Sequence, residues 1–104
     1  MEKTRNGRLG MPSESMIERK LRVEAARRGG LSMKFVSPGM DGVPDRIVLL
    51  PGGRMAFVEL KAPGRKLRPL QEARRRRLES LGFRVYVVDG MEGVGEVLDG
   101  IQTA

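Results

Sequence analysis

The chain has 104 residues, a net charge of +7 from 20 basic and 13 acidic side chains, and neither histidine nor cysteine. One domain of this size can bury its own core, and no apolar run approaches the roughly 20 residues that span a bilayer. The composition excludes catalysis by Ser-His-Asp or Cys-His groups, thiolate zinc sites and His-ligated metals. An enzyme of this composition would depend on carboxylates, lysine and a hard cation such as Mg²⁺ or Mn²⁺, which prefers oxygen ligands.

The excess of basic residues, mainly arginine, favours a polyanionic partner such as nucleic acid. A basic surface can also serve solubility alone, and charge by itself does not separate the two. The four aromatic residues lie in strand-like contexts that predict core positions, so we expect contacts to a duplex backbone rather than base stacking: Phe35, Phe57, Phe83 and Tyr86. No apolar segment follows the charged N-terminus, which predicts a cytoplasmic protein without a membrane anchor.

The chain divides into a predicted flexible basic tail, residues 1–12, and one domain over residues 13–104. The first helix is predicted from Ser13, because Ile17, Leu21 and Ala25 recur at four-residue spacing. The pair Gly29-Gly30 then ends it.

Two acids lie near the apolar stripe of this helix. At about 100° per residue, Glu14 falls inside the stripe and Glu18 beside it, which is unfavourable for two like charges. Either acid can instead belong to the helix start, since Ser15-x-x-Glu18 matches a capping box. For Glu14 the functional and the capping interpretation are balanced, whereas for Glu18 capping is favoured.

The remaining chain predicts strands at 32–36, 45–50, 55–61 and 83–89, and helices that begin at Pro69 and Met91. A basic loop, residues 62–68, precedes the helix at Pro69, and Gly82 follows that helix. The run 83–89 is continuously apolar, which is typical of a strand buried on both faces. The predicted order is α-β-β-β-α-β-α, an α/β fold in which helices pack on a mixed sheet.

The most informative stretch joins two of these strands through Pro51-Gly52-Gly53. A three-residue turn would place Asp45 directly across from Glu59, whereas a two-residue turn would place it across from Leu60, on the opposite face. Proline suits the first turn position and glycine the left-handed one, so the sequence favours the three-residue turn.

In that register, two carboxylates can hold one divalent ion, and the Leu60 carbonyl can add a third oxygen. Lys61 would project beside the ion, where it can orient water or stabilise charge on a phosphate. This set suffices for phosphodiester hydrolysis without histidine. The alternative is an ordinary salt-bridged cluster at a strand end, which contributes little to stability.

Pro44-Asp45 followed by Glu59-Leu60-Lys61 resembles the PD-(D/E)XK nuclease signature. The blocks GVPD, FVELKAPG and PLQ occur in order between residues 42 and 71, and together they resemble the VRR-NUC branch, the virus-type replication-repair nucleases. The similarity extends over most of the chain, from residue 14 to residue 94. It implies a restriction-endonuclease-like fold and Mg²⁺- or Mn²⁺-dependent cleavage of DNA.

The resemblance also implies roles for individual residues. It would make Asp45 and Glu59 metal ligands, Leu60 a carbonyl ligand and Lys61 the catalytic lysine. Its E-x-x-I-(E/Q) pattern matches residues 14–18, which favours Glu14 over Glu18 as the ligand from the first helix, or as part of a second metal site. Gln71 lies in the family's PxQ context, where it would line the site; an ordinary first-turn helix residue is equally compatible.

Proteins made of this domain alone are common in phages and resemble archaeal junction-resolving enzymes, which are symmetric dimers on branched DNA. The resemblance therefore implies a homodimer acting on DNA such as Holliday junctions, in a host-cell cytoplasm if the protein is phage-encoded. The basic residues of the loop and second helix then become candidate phosphate contacts, with a merely solvated surface as the alternative: Arg65, Lys66, Arg68, Arg74 and Arg75, with the rest of the run to Arg77.

Three hypotheses follow. The first is a metal-dependent structure-selective DNA endonuclease, and the second is a basic nucleic-acid-binding protein without catalysis. The third is an interaction module that uses the acid cluster to regulate a phage partner, which predicts no dependence on metal. Acids focused within a basic surface favour the first, because a protein that only binds DNA has no use for them.

Overall fold

The computed structural model describes residues 13–104; the predicted tail, residues 1–12, lies outside the described residues. The element order α-β-β-β-α-β-α is confirmed. The elements are α1 Glu14–Arg27, β1 Leu31–Lys34, β2 Arg46–Leu50, β3 Arg54–Leu60, α2 Pro69–Ser80, β4 Val85–Val88 and α3 Met91–Gln102. No helix within this part of the chain is long and apolar enough to cross a membrane.

The four strands form one mixed sheet in the order β1-β2-β3-β4. The first three are antiparallel neighbours, and β4 runs parallel to β3. The prediction that residues 83–89 form a strand buried on both faces is wrong, because the regular strand covers only Val85–Val88 and lies at the sheet edge. Apolar composition indicated burial but carried no information on strand order.

Helix α1 begins one residue after its cap, Ser13, whose Oγ accepts a hydrogen bond from the Met16 amide at 3.2 Å. The predicted capping box of Ser15 and Glu18 is therefore wrong, since Ser15 already lies inside the helix. At the other end, Gly29 adopts a positive φ of 83°. The next residue, Gly30, lies so close to β2 that a Cβ atom there would overlap the Leu49 carbonyl oxygen.

The hydrophobic core lies between one face of the sheet and the helices α1 and α3. Alternate residues of β2 and β3 point to this face, and α1 covers them with the three residues that the periodicity predicted, Ile17, Leu21 and Ala25. Helix α3 completes the layer with four fully or nearly buried residues: Val94, Val97, Leu98 and Ile101.

The other sheet face is covered less completely. Helix α2 lies against its β4 side and buries a single residue, Gln71. Aromatic rings form a row on this face, with Phe57 5.5 Å from Phe35 and 6.0 Å from Phe83 between ring centroids. Only Phe57 is buried as predicted; Phe35 and Tyr86 are half-buried, and Phe83 is exposed because it precedes the edge strand.

Candidate active site

The candidate site lies at the sheet end where β2 begins and β3 ends. The register pairs Leu50 with Arg54 and Arg46 with Val58, so the loop between the strands is the predicted three-residue turn. Both turn glycines have positive φ, 88° at Gly52 and 75° at Gly53. One step further along the same register, Asp45 lies across from Glu59, as the turn chemistry predicted.

Asp45 is held by both of its neighbouring strands. Its Oδ1 accepts a hydrogen bond from the Leu60 amide at 3.1 Å, and its backbone carbonyl accepts one from the Phe35 amide at 2.8 Å. These bonds fix the half-buried carboxylate at the strand end. The turn therefore sets the position of Asp45, and its neighbours on β1 and β3 maintain it.

Glu59 is only 6% exposed, and its carboxylate is hydrogen-bonded to a side chain of α2. Its Oε2 accepts a hydrogen bond from Gln71 Nε2 at 2.9 Å, and the Lys61 Nζ lies 3.7 Å from the same oxygen. The other end of the Gln71 amide accepts from the Arg68 backbone N–H at 2.9 Å. Gln71 thus joins the start of α2 to the carboxylate, and this contact explains why it is the buried residue of that helix.

Both carboxyls are poorly stabilised as anions. Burial and then the nearby Asp45 charge raise the pKa of Glu59 to about 7, against a smaller opposing effect of Lys61. Burial also raises the pKa of Asp45, and the Glu14 charge adds to it, although the hydrogen bond from Leu60 opposes the shift. A pair of desolvated, mutually repelling carboxylates is a common mark of a functional site.

The two acids of α1 occupy different positions around this corner. Glu14 is exposed in the first turn and lines a cavity with Asp45 and Leu60, close enough for its charge to raise the pKa of both β-strand acids. Glu18 lies one turn further on, and its Oε2 contacts Arg46 Nη2 at 3.2 Å and Arg22 Nε at 3.4 Å. Of the two, Glu14 faces the carboxylate pair, whereas Glu18 is engaged by arginines.

The oxygen donors suit a hard divalent cation. Within residues 13–104, no three acids lie close enough to hold a metal ion together. The candidate ligands are therefore two carboxylates and one backbone carbonyl, those of Asp45, Glu59 and Leu60. Mg²⁺ commonly binds through one or two carboxylates and keeps several waters. A cation would also relieve the repulsion that raises the pKa of Glu59, so the residues present fit such an ion.

The predicted phosphate contacts lie on the α2 side of the corner. Arg65 and Lys66 are exposed in the loop before α2, and the exposed Arg68 is its N-cap residue. Two arginines of the helix make intramolecular contacts: Arg74 Nε donates to the Asp41 carbonyl at 2.7 Å, and Arg75 pairs with Glu72 and Glu79. The loop cations are therefore the more available part of this set.

The structure adds a group that sequence reasoning missed. Arg46 follows Asp45 directly, yet its side chain is nearly buried and faces the α1 side of the sheet with Lys34 and Arg22. The sequence contained one signal for this role: an arginine at a predicted inward strand position, directly after a candidate metal ligand. Its partners come from two other elements and were not evident from local sequence.

The comparisons with known proteins agree with this geometry. The family model described as the VRR-NUC domain matches residues 13–92, which contain every residue of the corner. The chain belongs to the VRR-NUC family. This VRR-NUC chain is also 49% identical, over 79 residues, to "Putative nuclease p44" of Acyrthosiphon pisum secondary endosymbiont phage 1, covering 76% of this chain and 85% of that protein.

A solved structure described as a VRR_NUC domain superimposes on the VRR-NUC chain with a TM-score of 0.77. It is 28% identical and covers 85% of this chain and 97% of the other. The predicted fold class is therefore confirmed, and the protein is a nuclease-family domain. Its sheet end carries the carboxylates and the lysine that its sequence predicted.

Proposed function

We propose that this protein is a metal-dependent endonuclease that hydrolyses phosphodiester bonds in DNA. The observation that carries the proposal is the pairing of Asp45 and Glu59, both desolvated, beside the Lys61 ammonium group. Membership of a nuclease family agrees with it. The net charge of +7 provides the attraction for a polyanionic substrate.

Asp45, Glu59 and the Leu60 carbonyl would hold Mg²⁺ or Mn²⁺, with Glu14 close by. The bound ion would polarise the scissile phosphate and lower the pKa of a water. Lys61 donates hydrogen bonds only, so beside this phosphate it stabilises the negative charge that develops on the oxygens. Gln71 orients Glu59, because its side-chain amide donates a hydrogen bond to Glu59 Oε2. The other carboxylate oxygen, Oε1, is not used in this bond.

The Asp45–Leu60 hydrogen bond also has a role in this arrangement. The Leu60 amide donates to Asp45, which ties the carboxylate to the end of β3. The Leu60 carbonyl belongs to the next peptide group, whose Lys61 amide donates to the Val88 carbonyl at 2.9 Å. These two bonds fix the Asp45 carboxylate and the Leu60 carbonyl against the sheet. Preorganised groups of this kind need no rearrangement when charge develops.

We further propose a symmetric homodimer acting on branched DNA such as Holliday junctions, since two strands must then be cut by two centres. Support comes from the uncovered half of the α2 face, where Leu31 and Met33 of β1 and Leu49 of β2 are 38–46% exposed. The register places Leu31 opposite Leu49, so these side chains form a continuous apolar area. A second copy that packs on this area would remove it from water.

The test compares wild type with Asp45→Asn and Lys61→Ala on linear duplex, flap and four-way junction, in Mg²⁺, Mn²⁺ or EDTA. We expect cleavage by wild type in metal, none in EDTA, and binding with strongly reduced cleavage for the variants. Cleavage by Lys61→Ala at the wild-type rate would contradict the assigned site. DNA binding by wild type without cleavage in any metal would favour the non-catalytic binding protein.

The homodimer is tested separately by sedimentation at several concentrations. Leu31→Glu would place a charge at the centre of the apolar area, and we expect it to shift the protein to monomer. Lys20→Gln, on α1, lowers the net charge by the same single unit and serves as the matched control. A wild-type protein that remains monomeric would contradict the homodimer and weaken the assignment to branched DNA.

A further inference from the structure

A cavity of about 800 Å³ opens beside the carboxylate pair, on the α1 side of the sheet. Its volume is within the usual range for ligand sites. Glu14, Asp45 and Leu60 form one wall, and three basic residues lie along the rest. We name this second group the basic wall; it consists of Arg22, Lys34 and Arg46.

Arg46 is the fixed part of the basic wall. Its side chain is 8% exposed; Nε donates to Ser32 Oγ at 3.2 Å, and Nη2 donates to the Ser32 carbonyl at 3.0 Å. These bonds position the guanidinium group against β1. A buried cation loses hydration, and such groups are kept in proteins when they are paired or when they serve a ligand.

One carboxylate, Glu18, forms direct ion pairs with the basic wall among residues 13–104, and Arg22 and Arg46 share the same Glu18 oxygen. Glu14 and Asp45 also line the cavity, but they lie at the proposed cation site, where a bound cation would take up their charge. Lys34 lies directly opposite Arg46 in the β1–β2 register. Like charges at opposing positions of an antiparallel pair destabilise a sheet, so an anion placed between them would be stabilising.

We infer that the basic wall binds a backbone phosphate of the cut DNA strand, next to the phosphate held at Asp45 and Glu59. This inference rests on the proposed function and adds a second contact surface to it. The basic loop of residues 65–68 lies on the α2 side of the corner, and the basic wall lies on the α1 side. The strand would therefore cross the end of the sheet between two helices, rather than follow α2 alone.

The test measures DNA binding without cleavage. Fluorescence anisotropy in EDTA and in Ca²⁺, at several salt concentrations, compares wild type with the double variant Arg22→Ala/Lys34→Ala. Both side chains are exposed enough for the variant to fold, which thermal melting checks. The matched control is Lys20→Ala/Arg27→Ala, because it also removes two positive charges, both from α1, and Arg27 likewise pairs with a glutamate, Glu24, on the same helix.

Each phosphate contact contributes about 0.9 to the slope of log K against log salt concentration. We expect the double variant to bind at least about tenfold more weakly near 0.1 M salt, with a slope reduced by about 1, the loss of one phosphate contact. The control variant should keep the wild-type slope. An unchanged slope and affinity in the double variant, or no binding by wild type in either EDTA or Ca²⁺, would overturn the inference.

A neutral methylphosphonate placed singly along the DNA strand locates the contact. Wild type should lose affinity at one or two positions beside the cleavage point, and the double variant should be insensitive at those positions. Equal sensitivity of both proteins at every position would overturn the inference. Wild type that binds in this pattern but cuts in no metal would contradict the proposed function alone.

Discussion

The two faces of the sheet are built for different purposes. On the α1–α3 face, Ile17, Leu21 and Val48 are completely buried in the apolar core, and the nearly buried Arg46 lies at the start of β2, where it pairs with Glu18. On the α2 face, the buried residues include a glutamate and a glutamine bonded to each other, and several large apolar side chains remain exposed. The first face supplies the apolar core, whereas the second buries a carboxylate of the candidate site.

The comparison predicts that changes on the two faces separate activity from stability. Removing the ammonium group in Lys61→Ala should lower the cleavage rate by about 10²–10³-fold, the effect typical of losing one charge-stabilising donor. The melting temperature should change little, since Lys61 is a half-buried residue outside the core. Cleavage kinetics and calorimetry, with Lys20→Ala as control, measure both. A large fall in melting temperature would contradict the separation.

The reverse change is Leu21→Ala, in the middle of the α1–α3 face. It leaves a cavity in a fully buried position and should lower the free energy of unfolding by about 3 kcal/mol. Cleavage per folded molecule should persist at temperatures where the variant remains folded. Urea unfolding gives the stability, and Leu81→Ala, at an exposed leucine, is the matched control. A change no larger than that of Leu81→Ala would show that the core does not carry the stability.

Metal-free protein should become less stable as pH rises from about 4.5 to 7. The pKa of Glu59 is raised to about 7 in the folded protein from its ordinary value of 4.5, so the folded state binds more protons in this window. Stability then falls with pH, by at most about 1.4 kcal/mol per pH unit for one group. Glu59→Gln should flatten the dependence. The Asp45 carboxyl, whose pKa is also raised, would leave a smaller residual slope.

A smaller effect is expected for Gln71→Leu, which removes the link between α2 and Glu59 while preserving bulk. The loss of a hydrogen bond to a buried carboxylate should lower stability by about 1–2 kcal/mol above pH 7, where Glu59 is ionised. Below pH 5 the difference should shrink. Unfolding at both pH values measures it, and Gln102→Leu provides a surface control. Equal losses at the two pH values would contradict an ionised partner.

Local chemistry made much of this structure predictable. The Pro51-Gly52-Gly53 turn determined the register and hence the position of Asp45 across from Glu59, because turn geometry depends on neighbouring residues. Helix ends at glycine followed for the same reason. Ser13 and Ser15 were equivalent as caps in sequence, and only the backbone distinguished them.

Long-range contacts were not predictable in this way. Arg46 is buried in contact with Ser32 of β1 and Glu18 of α1. These residues are distant in the sequence, and no local sequence pattern indicates that they come together. The partial exposure of the aromatic row likewise depends on strand order and on how much of the sheet α2 covers. Both features decide what the site can bind.

The position of Glu14 in the candidate site depends on Gly30, which follows the opposite end of α1. A Cβ atom at Gly30 would overlap the Leu49 carbonyl oxygen, so a side chain there would force the segment after α1 away from β2. Helix α1 is a rigid rod about 21 Å long, and a tilt of about 10° at one end would move the other by about 4 Å. Glu14 lies at that other end. A single methyl group at Gly30 would therefore displace Glu14 through a tilt of the whole helix, although the two residues are not in contact.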